Sequence, residues 1–372
     1  MRPLVIRVGS ARHRVWQAAG YGGLALAVLW TAATGSSSDL TSFSSVAAWS
    51  VAVLGLNLVI GYAGQLSLGH SAFFGLGGYT AAILVSDYGW PFLATLPAAA
   101  VLGGVAGFLL GLPALRLRGL YLALVTLALV LAFPSIVKMD QLAGLTGAAN
   151  GKIVYVDWPV PDWLPLHVSD AGWQFLTLAA VASVLFWLAS NMLRSRVGRA
   201  LRALRDNETG AATSGVYPAG WKTGAFAVSA GYAAVGGAML TLVVPIVGPD
   251  SGGFLVAVAL ITGLVLGGAS TVSGAVVGGL VIVWLPQASS GWAGSLPLLS
   301  ATDGPMLTNV VYGLALIVIT FVMPGGVISF VRRMRTRFIC FVPDLPEPAT
   351  TREPAVPRPT ASEAASGAGK VL

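Results

Sequence analysis

Apolar runs of nearly twenty residues recur from Val15 almost to Val331, and none of them contains Asp, Glu, Lys or Arg. No other feature limits the possible folds as strongly. A helix needs about 20 apolar residues to cross a bilayer, and in hydrocarbon only helices or closed barrels satisfy their own backbone. No long polar block separates the runs, so no independent soluble domain fits between them. The composition agrees: 9% of the residues are charged and the mean hydropathy is +0.80, whereas soluble domains carry about 25% charged residues. The chain reads as an all-α polytopic membrane protein of about ten spans, at 15–34, 43–61, 66–86, 91–113, 119–137, 171–193, 223–245, 253–269, 270–288 and 309–331.

Orientation follows from the basic residues. With the N-terminus inside, 19 of the 21 Lys and Arg residues fall on the cytoplasmic side, and only Lys138 and Lys152 fall outside. Positive residues favour the cytoplasmic side, so both termini are expected there. The net charge of +7 is therefore a topology signal and does not point to nucleic acid. Arg2, Arg7, Arg12 and Arg14 precede the first apolar run as in a signal peptide, but Val15 to Ala33 is longer than a normal signal core and favours a retained span. A transmembrane domain is expected over 1–340, with an external connection at 138–170 and a cytoplasmic loop at 194–222. The Pro-, Ala- and Glu-rich segment 341–372 reads as a disordered cytoplasmic tail.

Several chemistries lack their residues. Ionisable groups inside the membrane usually mark proton or ion pathways, and the spans hold no carboxylate for such a relay. Sodium coupling through backbone carbonyls stays open. There is no G-x-x-x-x-G-K-[ST] phosphate loop, no GxSxG elbow and no HExxH pair, and Cys340 is the single cysteine. Neither a cofactor nor a metal is expected, and any ATP hydrolysis is expected in other subunits.

Two regions stand out. The first, "GYAGQLSLGHSAFFGLGGY" (61–79), holds six glycines together with Gln65, Ser67 and His70. Each glycine weakens a helix by about 1 kcal/mol relative to alanine. One reading is close helix packing, with the polar groups satisfying one another. The other is an interrupted helix at Gly61, Gly64, Gly69, Gly75, Gly77 and Gly78, with Asn57, Tyr62, Gln65, Ser67 and His70 along a solute path. A second Gly-rich stretch, 263–279, contains Gly267 and Gly268. Two interrupted segments in two halves of five spans suggest an inverted 5+5 repeat. The other region is "RSRVGRALRALRDNETGAATSGVYPAGWK" (194–222), in which Val197, Leu201 and Leu204 recur at helical spacing beside Arg199, Arg202 and Arg205. It reads as a basic amphipathic helix, lying on anionic lipid or docking a cytoplasmic partner.

Several stretches, in order from Gly55 to Val331, resemble the LivM-type permeases of branched-chain amino acid ABC importers. They include "GLNLVIGYAGQLSLGHSAFFGLGGYTAAIL", "SRVGRALRALRDNETGAATSGV", "VLGGASTVSGAVVGG" and "YGLALIVITFVMPGGV". The resemblance implies ATP-driven import of branched-chain amino acids, or a related small polar solute, across the bacterial plasma membrane. It also implies a LivH-type second permease, two cytoplasmic ATPase subunits, an extracellular or periplasmic solute-binding protein and a lipid surround. The residues it assigns to ATPase coupling are Arg196, Gly198, Arg199, Arg202, Arg205, Glu208 and Gly215. The chain departs from the family pattern at Ala212, where an acidic residue is common. The alternatives are a permease of the same type for urea or another small solute, an ion-coupled secondary transporter, and a membrane-embedded enzyme.

Overall fold

The structure, a computed structural model, describes residues 4–7, 23, 26–114, 120–161, 168–294, 313–314, 317–318, 321 and 326–342. The chain divides into two compact units, 22–334 and the paired terminal segments 1–21 and 335–372. In the terminal unit, β1 (Leu4–Arg7) pairs in parallel with a strand at Ile339–Val342, Leu4 opposite Ile339 and Arg7 opposite Val342.

The larger unit is helical, as expected. Helix α1 covers 26–34. Helix α2 (Ser37–Asn57) runs into a π turn at Leu58–Tyr62. Helices α3 (His70–Ser86), α4 (Phe92–Ala114) and α5 (Leu120–Val137) follow. After a short α6 (Ala143–Thr146) and strand β2 (Lys152–Ile153) comes α7 (Asp170–Arg194). Two short helices, α8 (Arg196–Asp206) and α9 (Glu208–Thr213), lead to α10 (Pro218–Val243). Strand β3 (Ile246–Val247) and a 3₁₀ turn at Pro249–Gly252 precede α11 (Phe254–Gly267), α12 (Val272–Gly294) and α13 (Gly326–Phe338). Strand β4 is Ile339–Val342.

Among the described residues, four helical segments are long and apolar enough to span a membrane: Ser37–Tyr62, Phe92–Leu112, Asp170–Arg194 and Pro218–Val243. Shorter apolar helices cover Tyr121–Val137, Phe254–Gly267 and Val272–Ala288. Most boundaries fall near those expected, and the departures have local causes. Helix α2 starts at Ser37, not 43, because the Ser36 hydroxyl caps it, accepting from Asp39 N at 3.2 Å and donating to the Asp39 carboxylate at 2.7 Å. The span expected at 66–86 begins as a helix only at His70, because Gly64 turns the chain at φ +69°. The first part of the span at 15–34, most of the span at 309–331 and the tail beyond Val342 lie outside the described residues. Within the described part of 309–331, Gly326 stands at φ +78° at the start of the helix Gly326–Phe338.

Helix α2 is the centre of the bundle. Residues 51–59 are buried without interruption, which marks a core helix and not a lipid-facing one. Small residues let its neighbours approach closely. A Cβ on Gly55 would meet the Ser229 carbonyl of α10, and one on Gly236 would meet Ala48 and Ala52 of α2. The pairing of 55 with 229 and of 48–52 with 236 makes α2 and α10 antiparallel. Helices α11 and α12 form a hairpin whose glycines, Gly263 and Gly267 on one arm and Gly274 and Gly278 on the other, interleave backbone to backbone.

The antiparallel pairing decides where the chain is interrupted. Helix α2, the break at 63–69 and the shorter α3 match α10, the break at 244–253 and the shorter α11. Because α2 and α10 run in opposite directions, these two breaks lie at opposite ends of the bundle. The break at the end of the bundle opposite 63–69 is therefore 244–253. The break inside 263–279 lies at 268–271, against the end of α2, at the same end as 63–69.

Candidate functional site

The site is the junction where the end of α2, the 268–271 break and helix α8 meet. Its origin is a carbonyl left over by the helix break. In a continuing α-helix the Gln65 amide would bond the Gly61 carbonyl; here it bonds the Val59 carbonyl at 3.0 Å, and Ala63 N bonds the Leu58 carbonyl at 3.1 Å. The Gly61 carbonyl instead accepts from the Ser270 hydroxyl at 2.7 Å and from Arg205 Nη1 at 2.9 Å. The same Nη1 reaches Ser270 Oγ at 2.9 Å.

One turn earlier, the Asn57 side chain, fully buried, binds the other break on both sides. Its Oδ1 accepts from Ser270 N at 2.8 Å and its Nδ2 donates to the Thr271 carbonyl at 2.8 Å. Ser270 sits in the left-handed region at φ +63°, and Gly268 at φ +110°. Asn57 thus holds an unusual backbone turn by saturating one donor and one acceptor of it.

A second buried group lies at the start of α3. Ser67 Oγ is 3.1 Å from His70 Nδ1, and His70 Nε2 is 3.0 Å from Ser229 Oγ. The Ser229 hydroxyl donates to the Phe226 carbonyl at 2.8 Å, and the Gly69 amide donates to Ser67 Oγ at 3.4 Å. Each hydroxyl has one proton. With that of Ser229 given to Phe226, the His70 Nε2–H donates to Ser229, and Nδ1 accepts from Ser67. One arrangement closes all four bonds. Ser67, His70 and Ser229 are each at most 1% exposed, and the His70 ring meets Phe73 and Phe226 edge-on at 5.9 and 5.7 Å. Thr126 of α5 joins them by accepting from Leu68 N at 3.0 Å.

The candidate path residues therefore divide. Asn57 and His70 are spent on bonds to distant elements, and Ser67 on local bonds to His70 and the Gly69 amide. Tyr62 is buried among Leu58, Leu193 and neighbouring side chains. Gln65 is half-buried at the break, its Nε2 3.4 Å from the Lys222 carbonyl. The glycines divide too. Gly61 and Gly64 belong to the break, Gly69 precedes α3, and Gly267 and Gly268 end α11. Gly75, Gly77 and Gly78 do not interrupt a helix: they lie inside α3, where a Cβ would strike Gly252 and Phe133, Ala234, and Thr241 respectively. They serve close approach of backbones, not a break.

Helix α8 has the amphipathic form its spacing predicts. Leu201 and Leu204 are 1% and 4% exposed, while Arg196 and Arg199 face outward and Arg202 is half-buried. Leu201 packs with Ala63 of the break and Ala225 of α10, so the helix rests on the interruption itself. Gly198 closes the α7–α8 corner against the Leu193 backbone, and Gly64 admits Arg205. Glu208 pairs with Lys222 at 2.7 Å, and Gly215 turns the chain at φ +85° in open surroundings. Ser270, Thr271, Ser229 and Thr126 were not singled out from the sequence. The short "GGAST" linker and a lone serine in the Ala/Gly-rich α10 were the available signals. A cavity of about 340 Å³ lies elsewhere, lined by Leu76, Tyr79, Ile83, Phe133, Val137 and Leu145 among others. Its walls are almost wholly carbon, which suits an apolar occupant and not a polar solute.

Spanning helices, interruptions that meet at one end of the bundle and a basic amphipathic helix seated on them define a polytopic membrane permease. The chain belongs to the family described as branched-chain amino acid transport system / permease component, whose profile matches residues 40–320. It is 34% identical over 255 residues to the high-affinity branched-chain amino acid transport system permease protein LivM of Escherichia coli K12, covering 62% of this chain and 58% of that protein. To LivM of Salmonella typhimurium LT2 it is 35% identical over 240 residues, 58% of this chain and 55% of the relative. To the permease protein LivH of Escherichia coli K12 it is 23% identical over 299 residues, 76% and 91% of the two chains. The chain thus spans somewhat over half the length of the LivM relatives it matches. No solved structure matches it. The family and the apolar helices make it a multi-pass protein of the bacterial plasma membrane, and the resemblance drawn from residues 55–331 agrees with the matched range.

Proposed function

We propose that the chain is a transmembrane permease subunit of an ATP-driven importer of branched-chain amino acids. In this reading it pairs with a LivH-type permease, is driven by two cytoplasmic ATPase subunits and receives solute from a binding protein. The observation that carries the reading is the seating of α8 on the 61–65 break in a chain of this family: Leu201 packs on Ala63, and Arg205 bonds the Gly61 carbonyl. A push on α8 from a cytoplasmic ATPase is thereby delivered to the point where the central helix is interrupted. Ten spans, cytoplasmic termini and an inverted 5+5 repeat belong to the same proposal. The parallel pairing of Leu4–Arg7 with Ile339–Val342 supports an even number of spans, since paired ends lie on one side. The α2–α3 and α10–α11 units supply the opposed repeats. Within this scheme 61–70 acts as a hinge beside the solute path, and the half-buried Gln65 is its candidate polar side chain.

The test is uptake of radiolabelled leucine, isoleucine and valine into liposomes holding the whole transporter, loaded with ATP and supplied with binding protein. Saturable uptake that stops without ATP is expected. Uptake by this chain alone, driven by an ion gradient, would overturn the proposal.

A further inference from the structure

The geometry points to Arg205 as a latch: one guanidinium nitrogen ties α8 to the two interrupted helices where they meet, so that a displacement of α8 is felt at both breaks at once. The inference rests on the functional reading above and goes beyond it by naming the atoms that carry the coupling.

The guanidinium has two edges with different tasks. Nε and Nη2 are each 3.0 Å from Asp206 Oδ1, which fixes the plane of the group at the end of α8. Nη1 is left to point inward, and it reaches the Gly61 carbonyl and Ser270 Oγ at 2.9 Å each. Those two acceptors are themselves joined, since Ser270 Oγ donates to the Gly61 carbonyl at 2.7 Å. The result is a closed triangle of hydrogen bonds between α8, the end of α2 and the 268–271 break. A lysine ammonium has no planar fork with which to hold Asp206 on one edge and the triangle on the other.

Four further features fit a latch. The Gly61 carbonyl is available only because the break turns the Gln65 amide away to Val59. Gly64 stands at φ +69°, and a Cβ there would come within 2.6 Å of Arg205 Cγ and 3.2 Å of its Cα, so a side chain would hold α8 off. Ser270 occupies a left-handed conformation that glycine adopts without strain, in a stretch already rich in glycine. Its hydroxyl is engaged on both sides, donating to the Gly61 carbonyl and accepting from Arg205. The guanidinium is also only partly covered, with 34% of the side chain exposed, so the latch lies where a cytoplasmic subunit reaches α8.

Ser270→Gly is the discriminating variant. It removes the hydroxyl while relieving the left-handed backbone, and normal membrane abundance of the variant separates a loss of coupling from a loss of fold. Arg205→Ala and Arg205→Lys accompany it. The whole transporter is reconstituted in liposomes, and leucine uptake and ATP hydrolysis are measured together. Amide hydrogen exchange of 59–65 and 268–272 is followed in the same preparations. Wild type should move leucine only with ATP. Ser270→Gly and Arg205→Ala should raise the ATP hydrolysed per leucine moved by about five-fold or more, the range of ordinary allosteric coupling. Both segments should exchange faster in each variant, and Arg205→Lys should not restore wild-type behaviour. Faster exchange with an unchanged ATP-to-leucine ratio would make the triangle a mere staple and overturn the latch, as would unchanged exchange in both segments. Wild-type uptake indifferent to ATP would instead refute the functional reading, and the coupling role with it.

Discussion

Replacing Asn57 with alanine separates a hinge residue from a solute-path residue. The side chain is fully buried, so in the structure it has no face for solute, and its oxygen and nitrogen hold Ser270 N and the Thr271 carbonyl at 2.8 Å each. Alanine removes both bonds and leaves a backbone donor and a backbone acceptor unpaired in a partly buried place. Leaving a buried group unsatisfied costs about 1–3 kcal/mol, whereas side-chain hydrogen bonds within membrane proteins average about 0.6 kcal/mol in double-mutant cycles. Two groups would give about 2–6 kcal/mol if fully buried; because these are only partly buried, truncation is expected to cost about 2–4 kcal/mol. At about 2–3 °C per kcal/mol, the apparent Tm should fall by roughly 4–12 °C. Thermal unfolding of purified protein in detergent, followed by size exclusion, reads this directly. Asn57→Asp keeps the acceptor for Ser270 N but sets a second acceptor against the Thr271 carbonyl, and should be no more stable than the alanine variant. A normal Tm in Asn57→Ala with uptake abolished would refute the hinge argument and return Asn57 to the solute path.

Other substitutions test neighbouring parts of the same argument. Ser229→Ala leaves the His70 Nε2–H without its acceptor in a fully buried place, and should cost about 1–3 kcal/mol in the same thermal assay; an unchanged Tm would discard the proposed order of protons. Gly77→Ala drives a methyl into the Ala234 backbone where α3 crosses α10, and should destabilise by about 1–3 kcal/mol. Normal abundance and Tm would show that the crossing is looser than described. Arg199→Glu with Arg202→Glu alters an outward and a half-buried position of α8 and should uncouple ATP hydrolysis from uptake without lowering Tm by more than about 4 °C, as surface changes rarely exceed about 0.5 kcal/mol and a half-buried one costs about 1 kcal/mol. Full coupling in that double variant would remove the docking role of the helix. Lys222→Gln should change stability by about 1 kcal/mol at most, because its pair with Glu208 is partly exposed.

The legible parts of this protein are those written in local patterns. Apolar runs without charge determine a polytopic helical protein, because hydrocarbon leaves the backbone no alternative to internal pairing. The apolar spacing of Val197, Leu201 and Leu204 determines an amphipathic α8, and Leu201 and Leu204 are indeed buried. The glycines of 61–79 announced unusual backbone, but not its kind. Gly64 and Gly75 are the same residue type in the same motif, yet one turns the chain at φ +69° and the other admits Phe133 and Gly252. Glycine permits both, and only the neighbouring element decides. The same holds for Asn57 and His70, whose polarity was visible while their partners lay 213 and 159 residues away.

Membership in the membrane class, approximate spans and the basic amphipathic helix were thus determined by the sequence itself, since each depends on periodicity or composition within one segment. Tertiary structure alone decided that the Gly61 carbonyl, Ser270 and Arg205 meet, and that the break opposed to 63–69 is 244–253. Both depend on the antiparallel crossing of α2 and α10 and on hydrogen bonds released by a helix break. Free backbone groups carry no side-chain signature, so their destinations appear only when the chain is folded.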